Sequence, residues 1–269
     1  MRPAPDALGV GAWPEPVGRR LMEYYTRYYR DTLGIPGWRA LVTVRLGEES
    51  YEAGHLARLE AVLGRPVAGL RLLNVGCGTG GFTVIARRAG AHAVGVDAEA
   101  AAVEICRLKA EREGGGAPTL GAVEALPFGD GRFDVVYCFS TLEHVASVPE
   151  AVREMLRVAR PGGAVYVNAP NALACYEGHY KLFWLPLMPK PLARLYLRAR
   201  KRPAGFVNTL QPLLRGRLES LFRSSGARVT RPGAAEARLP ETGSPLWPLV
   251  RAYYRLAGVS PHIELLAWK

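Results

Sequence analysis

The stretch that most constrains the fold is "RLLNVGCGTGGF", residues 71–82, in which glycines 76, 78, 80 and 81 follow a short apolar run. A glycine-rich turn between a strand and a helix lets a ligand approach the main chain closely. Gly76-x-Gly78-x-x-Gly81 fits the dinucleotide fingerprint, and Asp97 ends the next strand about 20 residues later, where an acid accepts hydrogen bonds from ribose hydroxyls. The stretch predicts a nucleoside-type ligand and, by itself, fits a nicotinamide dinucleotide and S-adenosylmethionine equally well.

Along the chain, short apolar runs typical of buried strands alternate with segments whose apolar residues have helical spacing. Apolar runs at 70–76, 92–97, 133–140 and 164–171 predict buried strands, and helical spacing separates them at 82–91, 98–113 and 148–163. This alternation predicts an α/β fold with a parallel, doubly wound, Rossmann-like sheet. Two strands, within 212–232 and at 262–269, are expected to complete a seven-stranded sheet as an antiparallel pair at its edge.

No internal repeat and no second apolar core is visible in the sequence, so we expect a single domain. Its predicted parts are an N-terminal helical cap (1–65), a cofactor-binding Rossmann-like core (66–170), an inserted lid for the substrate (171–211) and the C-terminal part of the core sheet (212–269).

The composition and the apolar runs of the chain bear on its cysteine chemistry, its location and its partners. The four cysteines, Cys77, Cys106, Cys138 and Cys175, have no C-x-x-C spacing, so we expect buried reduced thiols without a disulfide or metal. The start lacks the pattern of a secretory leader, and no apolar run reaches the roughly 18 to 20 residues that span a bilayer, so a cytoplasmic protein is expected. The formal charge of +11 suits an anionic partner or a GC-rich genome, and basic residues are densest at 181–202.

The motifs that follow the glycine-rich turn distinguish between the two candidate ligands. "LLNVGCGTGGF", "VGVDAE", "VEALPFGDGRFDVVYCFSTLEHV" and "EMLRVARPGGAVYVNAPN" resemble successive motifs of the class I S-adenosylmethionine-dependent methyltransferases, on the branch of ubiquinone-type and other small-molecule O-methyltransferases. The resemblance covers residues 71–171. It implies S-adenosylmethionine as cofactor, S-adenosylhomocysteine as product, and methyl transfer as the activity.

The resemblance also implies a cofactor site. The loop with Gly76, Cys77, Gly78 and Gly80 would cradle the methionine part of the cofactor, and Asp97, followed by Ala98, would bind the ribose. The adenine would lie at residues 123–125, and the end of the fourth strand would complete the site. The cofactor-binding residues expected there are Val123, Glu124, Ala125, Ser140 and Glu143.

Two positions depart from the family. Asn74 stands where the first motif usually has an acid, so we expect it to hydrogen-bond toward the cofactor's ammonium without the charge. Ala122 stands where an Asp often holds the adenine amino group, so backbone groups or Glu124 would have to substitute. We therefore expect cofactor binding to persist but to be modest.

A hydroxyl acceptor must lose its proton, which makes histidine the first candidate base. His144, beside Glu143, is the first catalytic candidate, and His179 in "YEGHY" is the second. The alternatives are that His144 shapes the cofactor pocket and that His179 binds substrate. Some relatives hold a divalent metal with an acid three residues before the Glu-His pair; Ser140 stands there, so we predict no metal.

The proline-broken segment 171–211 is apolar, aromatic and basic. One interpretation is an ordinary hydrophobic lid, and the other is an element that touches anionic lipid through residues 181–202 and admits an apolar acceptor. Leu192, Leu195 and Tyr196 are expected to form one apolar helix face beside Arg194, Arg198 and Arg200. The substrate-facing candidates are Tyr176, His179, Tyr180, Phe183 and Trp184.

The sequence thus predicts methyl transfer to a hydroxyl of a small-molecule, lipid- or glycan-linked acceptor. N- or C-methylation of a small molecule and nucleic-acid methylation are alternatives, although no amide-proline-aromatic motif follows the fourth strand and no RNA-binding module is present. A cofactor-binding partner subunit without catalysis is a third alternative, suggested by Asn74 and Ala122. The sequence sets no oligomeric state.

Overall fold

A computed structural model describes residues 13–232 and 247–269. Its central feature is a seven-stranded sheet in the order β3-β2-β1-β4-β5-β9-β8. The strands are β1 Arg71–Val75, β2 His92–Asp97, β3 Thr119–Leu120, β4 Phe133–Phe139, β5 Ala159–Pro170, β8 Arg228–Thr230 and β9 His262–Trp268. β1 to β5 pair in parallel, and β9 runs antiparallel to both β5 and β8. The predicted fold class is confirmed.

Helices cover both faces of this sheet. The connecting helices are α4 Gly81–Arg88, α5 Ala100–Arg112, α6 Val148–Val158 and α8 Arg215–Ser224. Side chains of α6 and α8 share one apolar core with β1, β4, β5 and β9, and side chains of α4 share the second core with the opposite face. Because both faces are buried, the strands read as continuous apolar runs in the sequence.

The N-terminal cap contains more elements than the sequence indicated. It comprises α1 Val17–Thr26, a π-helical segment Arg27–Thr32, α2 Trp38–Leu46 and α3 Glu48–Leu63. These elements make up the helical part of the segment that was expected to form an N-terminal cap. Four tyrosines of the cap line the cleft above the sheet: Tyr24, Tyr25, Tyr28 and Tyr29.

One helix ends earlier than its pattern predicted. Residues 148–163 were expected to be helical, but α6 ends at Val158 and β5 begins at Ala159. Ala159 pairs with Phe133, and a bulge precedes the pairing of Ala164 with Val135. Hydrogen bonds to Lys269, from Gly162 N to its carbonyl and from its N to the Gly163 carbonyl, hold residues 162 and 163 beside the last strand. Pairing between distant strands therefore overrides the local helical period.

The inserted segment packs on the cap across the cleft. It contains the hairpin β6 Tyr176–Glu177 and β7 Leu182–Phe183, followed by α7 Lys190–Ala199. Tyr180, Leu182 and Leu197 are buried in the same core as Leu21 and Tyr29 of the cap. The predicted domain limits stay a prediction.

Three further features complete the fold. The last helix, α9, spans Trp247–Ala257. All four cysteines are free and buried. Among the described helices, none combines the length and apolar character needed to cross a bilayer.

Candidate active site

A cleft of about 1880 Å³ lies above the carboxyl ends of β1, β2 and β4, with the N-terminal tyrosines and the β6–β7 hairpin on its other side. Open α/β sheets bind ligands at this edge. Most of the predicted site residues line the cleft, and a few do not.

The glycine-rich turn forms one wall of the cleft. Gly76 has φ +68°, and a Cβ there would lie 2.2 Å from the Thr141 hydroxyl, so the turn packs directly on the segment after β4. Gly78 has φ +51°, but a Cβ there would meet no protein atom within 4 Å. Gly78 therefore presents bare main chain to open space. This cradle fits a ligand that lies against the backbone, as the methionine part of S-adenosylmethionine would.

Asp97 ends β2 beside this cradle. Its carboxylate accepts hydrogen bonds from Gly78 N at 2.8 Å and from Glu99 N at 2.9 Å. Asp97 and Ala98 line the cleft, where ribose hydroxyls would meet the carboxylate. The Asp97 side chain thus also fixes the shape of the glycine turn.

The residues predicted to contact the adenine follow β3. Ala122, Val123 and Glu124 line the cleft, whereas Ala125 does not. Glu124 Oε1 accepts hydrogen bonds from Ala146 N at 2.6 Å and Ser147 N at 3.2 Å, so one of its oxygens is held by backbone before α6.

Asn74 is buried at the end of β1, and its amide donates to Thr83 Oγ1 at 3.0 Å. It lines the cleft together with Cys77, while Gly80 stands outside the lining. The cofactor-binding roles of all these residues stay predictions.

The polar group after β4 is the chemically distinctive part of the cleft. Glu143 is 1% exposed, and neither of its carboxylate oxygens has a hydrogen-bond partner among the described residues. Its Oε1 lies 3.9 Å from His144 Nε2 and 4.0 Å from His179 Nε2. The hairpin thus brings His179 to the Glu143–His144 pair, and Glu177 binds the His179 Nδ1 at 2.6 Å.

Burial shifts the pKa values of this group apart. Burial raises the pKa of Glu143 to about 7, because a charged carboxylate is poorly solvated there. Burial and the neighbouring His179 lower the pKa of His144 to about 4. Burial alone would lower the pKa of His179, but the hydrogen bond and charge of Glu177 raise it above its usual value. At neutral pH, His144 is therefore neutral and Glu143 titrates, whereas the raised pKa of His179 favours its protonated ring.

The same group could hold a metal. Glu143, His144 and His179 each offer a ligand atom, and these atoms lie within 4.8 Å of one another. The sequence reasoning considered Ser140 for the third position and missed the hairpin histidine. The prediction of no metal stays a prediction.

The substrate-facing candidates separate into two sets. Tyr176 and His179 line the cleft together with Ser140, which has φ +48°. Tyr180 is fully buried and donates to the Pro203 carbonyl at 2.9 Å. Phe183 and Trp184 lie outside the lining, where Trp184 packs on Tyr196.

A buried ionic cluster behind the glycine turn was missed by sequence reasoning. Lys109 Nζ contacts Glu48 and Glu49, and all three side chains are at most 2% exposed. Glu48 also accepts hydrogen bonds from Thr79 Oγ1 at 2.7 Å and Tyr25 OH at 2.6 Å. The cluster thereby ties the cap to the turn. Two acids in the first turn of α3 read as ordinary surface residues in the sequence, and no local pattern marks them.

Comparisons with known proteins agree with this geometry. Residues 73–167 match the family described as a methyltransferase domain. A ubiquinone biosynthesis O-methyltransferase from Azorhizobium caulinodans is 35% identical over 176 residues, which are 58% of this chain and 68% of that protein. One of the same name from Chelativorans sp. strain BNC1 is 33% identical over 141 residues, 50% of this chain and 55% of that protein. The chain thus spans about half the length of several curated relatives that it matches.

Solved structures share the fold. An S-adenosylmethionine-dependent methyltransferase from Mesorhizobium loti has a TM-score of 0.54 at 17% identity, covering 81% of this chain and 100% of that one. Magnesium protoporphyrin IX methyltransferase from Synechocystis PCC 6803, determined with bound S-adenosylhomocysteine, has a TM-score of 0.54 at 18% identity, covering 92% and 93%. With the glycine cradle, the acid at the end of β2 and these relatives, the chain belongs to the class I S-adenosylmethionine-dependent methyltransferases, on the branch similar to the ubiquinone-type O-methyltransferases.

Proposed function

We propose that this protein transfers a methyl group from S-adenosylmethionine to a hydroxyl of a small-molecule, lipid- or glycan-linked acceptor. The observation that carries the proposal is Glu143, a buried carboxylate with no hydrogen-bond partner among the described residues and a pKa near 7, at the edge of the cofactor cleft. A general base works best when its pKa lies near the working pH. Hydroxyl acceptors need such a base, because their proton must leave as the new bond forms.

S-adenosylmethionine, when bound, supplies a methyl group on a positively charged sulfur. The protein's part is to orient the acceptor and receive its proton. Gly78 and Asp97 hold the cofactor against the turn, which leaves the group after β4 to face the acceptor. Glu143 accepts the hydroxyl proton on Oε1 or Oε2 as the oxygen–methyl bond forms.

His179 serves as the second proton carrier. Its Nε2 lies 4.0 Å from Glu143 Oε1, and Glu177 fixes the ring through Nδ1 at 2.6 Å. The raised pKa of His179 favours the protonated ring, whose positive charge stabilises ionised Glu143. His144 is neutral at pH 7 and forms the wall opposite His179, with the two ring centroids 5.1 Å apart.

Aromatic side chains pack beside the two histidines. The Phe206 ring lies 5.3 Å from the His179 ring and 5.7 Å from the His144 ring. Tyr28 of the cap contacts Phe206 edge to face at 5.9 Å. These rings place apolar surface next to the proposed base, where a lower local polarity strengthens its electrostatic interactions.

The test is a labelling experiment. Purified protein is incubated with methyl-labelled S-adenosylmethionine and a fractionated cell extract, and labelled products are analysed for methyl ethers. We expect label in a methyl ether and its loss in Glu143→Gln, with Glu150→Gln on the exposed surface of α6 as the matched control. Label that enters only N-methyl, C-methyl or nucleic-acid products would contradict the proposal.

We also propose that residues 181–202 contact an anionic lipid surface. Leu185, Leu187, Leu192 and Leu195 are 45% to 65% exposed. α7 packs on the protein through Ala193 and Leu197, so its Leu192 and Leu195 point elsewhere. Exposed leucines beside Arg194, Arg198 and Arg200 have the composition of an interfacial helix.

A further inference from the structure

Some basic side chains of the cleft have a carboxylate partner, and others have none among the described residues. Five described Lys and Arg side chains line it, and three of them have a carboxylate partner. The pairs are Arg45–Glu52 at 3.8 Å, Arg58–Glu264 at 2.7 Å and Arg231–Glu219 at 2.6 Å. Lys181 and Arg215 have no carboxylate within 4.0 Å among the residues described.

Lys181 is held in the cleft by the hairpin turn between β6 and β7. It adopts a left-handed backbone with φ +56°, a conformation that costs energy for a residue with a side chain. Partial burial and the nearby Arg45 lower the pKa of its amine, and Glu177 only partly offsets them. Lys181 is exposed and lines the cleft, so its charge is available to a ligand there.

Arg215, the first residue of α8, also lines the cleft. Its Nε is buried without a hydrogen-bond partner among the described residues, and a terminal nitrogen donates a long bond of 3.4 Å to the His262 carbonyl. An unpaired buried donor is unfavourable unless a ligand completes it. Lys181 is also close enough to His262 to lower the pKa of its ring. Both cations thus approach the start of β9.

We propose that Lys181 and Arg215 form a subsite for an anionic group, a carboxylate or a phosphate, carried by the methyl acceptor. Two cations without counter-charges attract such a group, and a guanidinium binds its oxygens with directed hydrogen bonds. The inference rests on the proposed hydroxyl methylation, because it names a property of that acceptor.

The position of the subsite suits this role. Lys181 follows His179 by two residues, so the charge lies on the same hairpin turn as the proposed proton carrier. Phe139 and His55 also line the cleft, and their ring centroids are 4.2 Å apart. An acceptor ring would lie there with its hydroxyl toward Glu143 and its anionic group toward Lys181 and Arg215.

The test compares two probes that differ in charge. Binding of 3,4-dihydroxybenzoate and of its methyl ester is measured by equilibrium dialysis on full-length protein saturated with S-adenosylhomocysteine. We expect the acid to bind at least about tenfold more tightly than the ester, because charge-assisted hydrogen bonds replace solvent at the cations. Phenyl phosphate is the competitor that distinguishes phosphate from carboxylate preference.

Variants that remove a positive charge test whether Lys181 and Arg215 cause the preference for the acid. Lys181→Met and Arg215→Met should each remove most of the preference for the acid. Lys201→Met and Arg217→Met are matched controls, because Lys201 shares the left-handed backbone, Arg217 lies on the same helix, and neither lines the cleft. All four variants should bind S-adenosylhomocysteine as the parent does, which shows that they fold.

Three results would overturn the inference. They are equal or absent binding of acid and ester, an unchanged preference in both cleft variants, and a tenfold loss of S-adenosylhomocysteine affinity in Lys181→Met, which would assign the cation to the cofactor's own carboxylate. Methyl transfer to either probe is scored separately. Charge-selective binding without transfer to any hydroxyl would leave the subsite standing and contradict the proposed function.

Discussion

Replacing Glu143 with glutamine should stabilise the protein while abolishing methyl transfer. Burial raises the pKa of Glu143 to about 7 from an ordinary value of 4.5. Folding therefore favours the protonated carboxyl: the contribution of this group to stability is fully present below pH 4.5 and is lost as the pH rises through 7. At pH 8 the loss is about 3 kcal/mol, and the side chain is only 1% exposed, so solvent does not screen it.

The measurement is thermal unfolding of the ligand-free parent and Glu143→Gln at pH 5 and pH 8. A buried glutamine has its own desolvation cost, but that cost is the same at both pH values. The stability gained by the variant should therefore be about 2 to 3 kcal/mol larger at pH 8 than at pH 5, or roughly 4 to 12 °C in Tm for a chain of this size. Glu150→Gln on the exposed surface of α6 should show no such pH dependence.

Activity supplies the second half of this prediction. In the parent, kcat/KM should rise with pH through about 7 as Glu143 ionises, and the variant should lose both the rise and most of the rate. A variant whose Tm difference from the parent is the same at pH 5 and pH 8 would refute the reasoning, because the ionisation of Glu143 would then cost nothing in the fold.

Other predictions follow from single contacts. Asp97→Ala should weaken S-adenosylhomocysteine binding by about 10- to 100-fold in calorimetry, because it removes a carboxylate that also holds Gly78; unchanged affinity would contradict the ribose assignment. Lys109→Met leaves two buried glutamates unpaired and should lower the free energy of unfolding by about 3 to 5 kcal/mol, whereas simultaneous replacement of both glutamates by glutamine should recover part of that loss. Changing Arg194, Arg198 and Arg200 to glutamate should reduce co-sedimentation with anionic vesicles, and failure of the parent to bind vesicles would end the lipid proposal. Dialysis against EDTA should leave the transfer rate unchanged; a loss that zinc or magnesium restores would show that Glu143, His144 and His179 hold a metal.

The sequence was most informative for functional residues that lie close to one another along the chain. The glycine turn, the acid at the end of β2 and the Glu-His pair after β4 lie within one run of alternating strands and helices, so hydrophobic period and turn residues place them at one edge of the sheet. The same reasoning failed at residues 159–163, because pairing with distant strands is not encoded in a local period.

Sequence by itself determined the fold, the position of the cofactor cleft and the family of the chain, since these depend on local patterns and motif order. Only the tertiary structure decided which side chains meet. His179 reaches Glu143 from a hairpin 36 residues along the chain, and Lys109 reaches Glu48 across 61 residues. Lys181 of the hairpin turn and Arg215 of α8 line the same cleft. The physical reason is that packing of the lid and cap against the sheet sets these distances, burials and pKa values, and no spacing along the chain reports such packing.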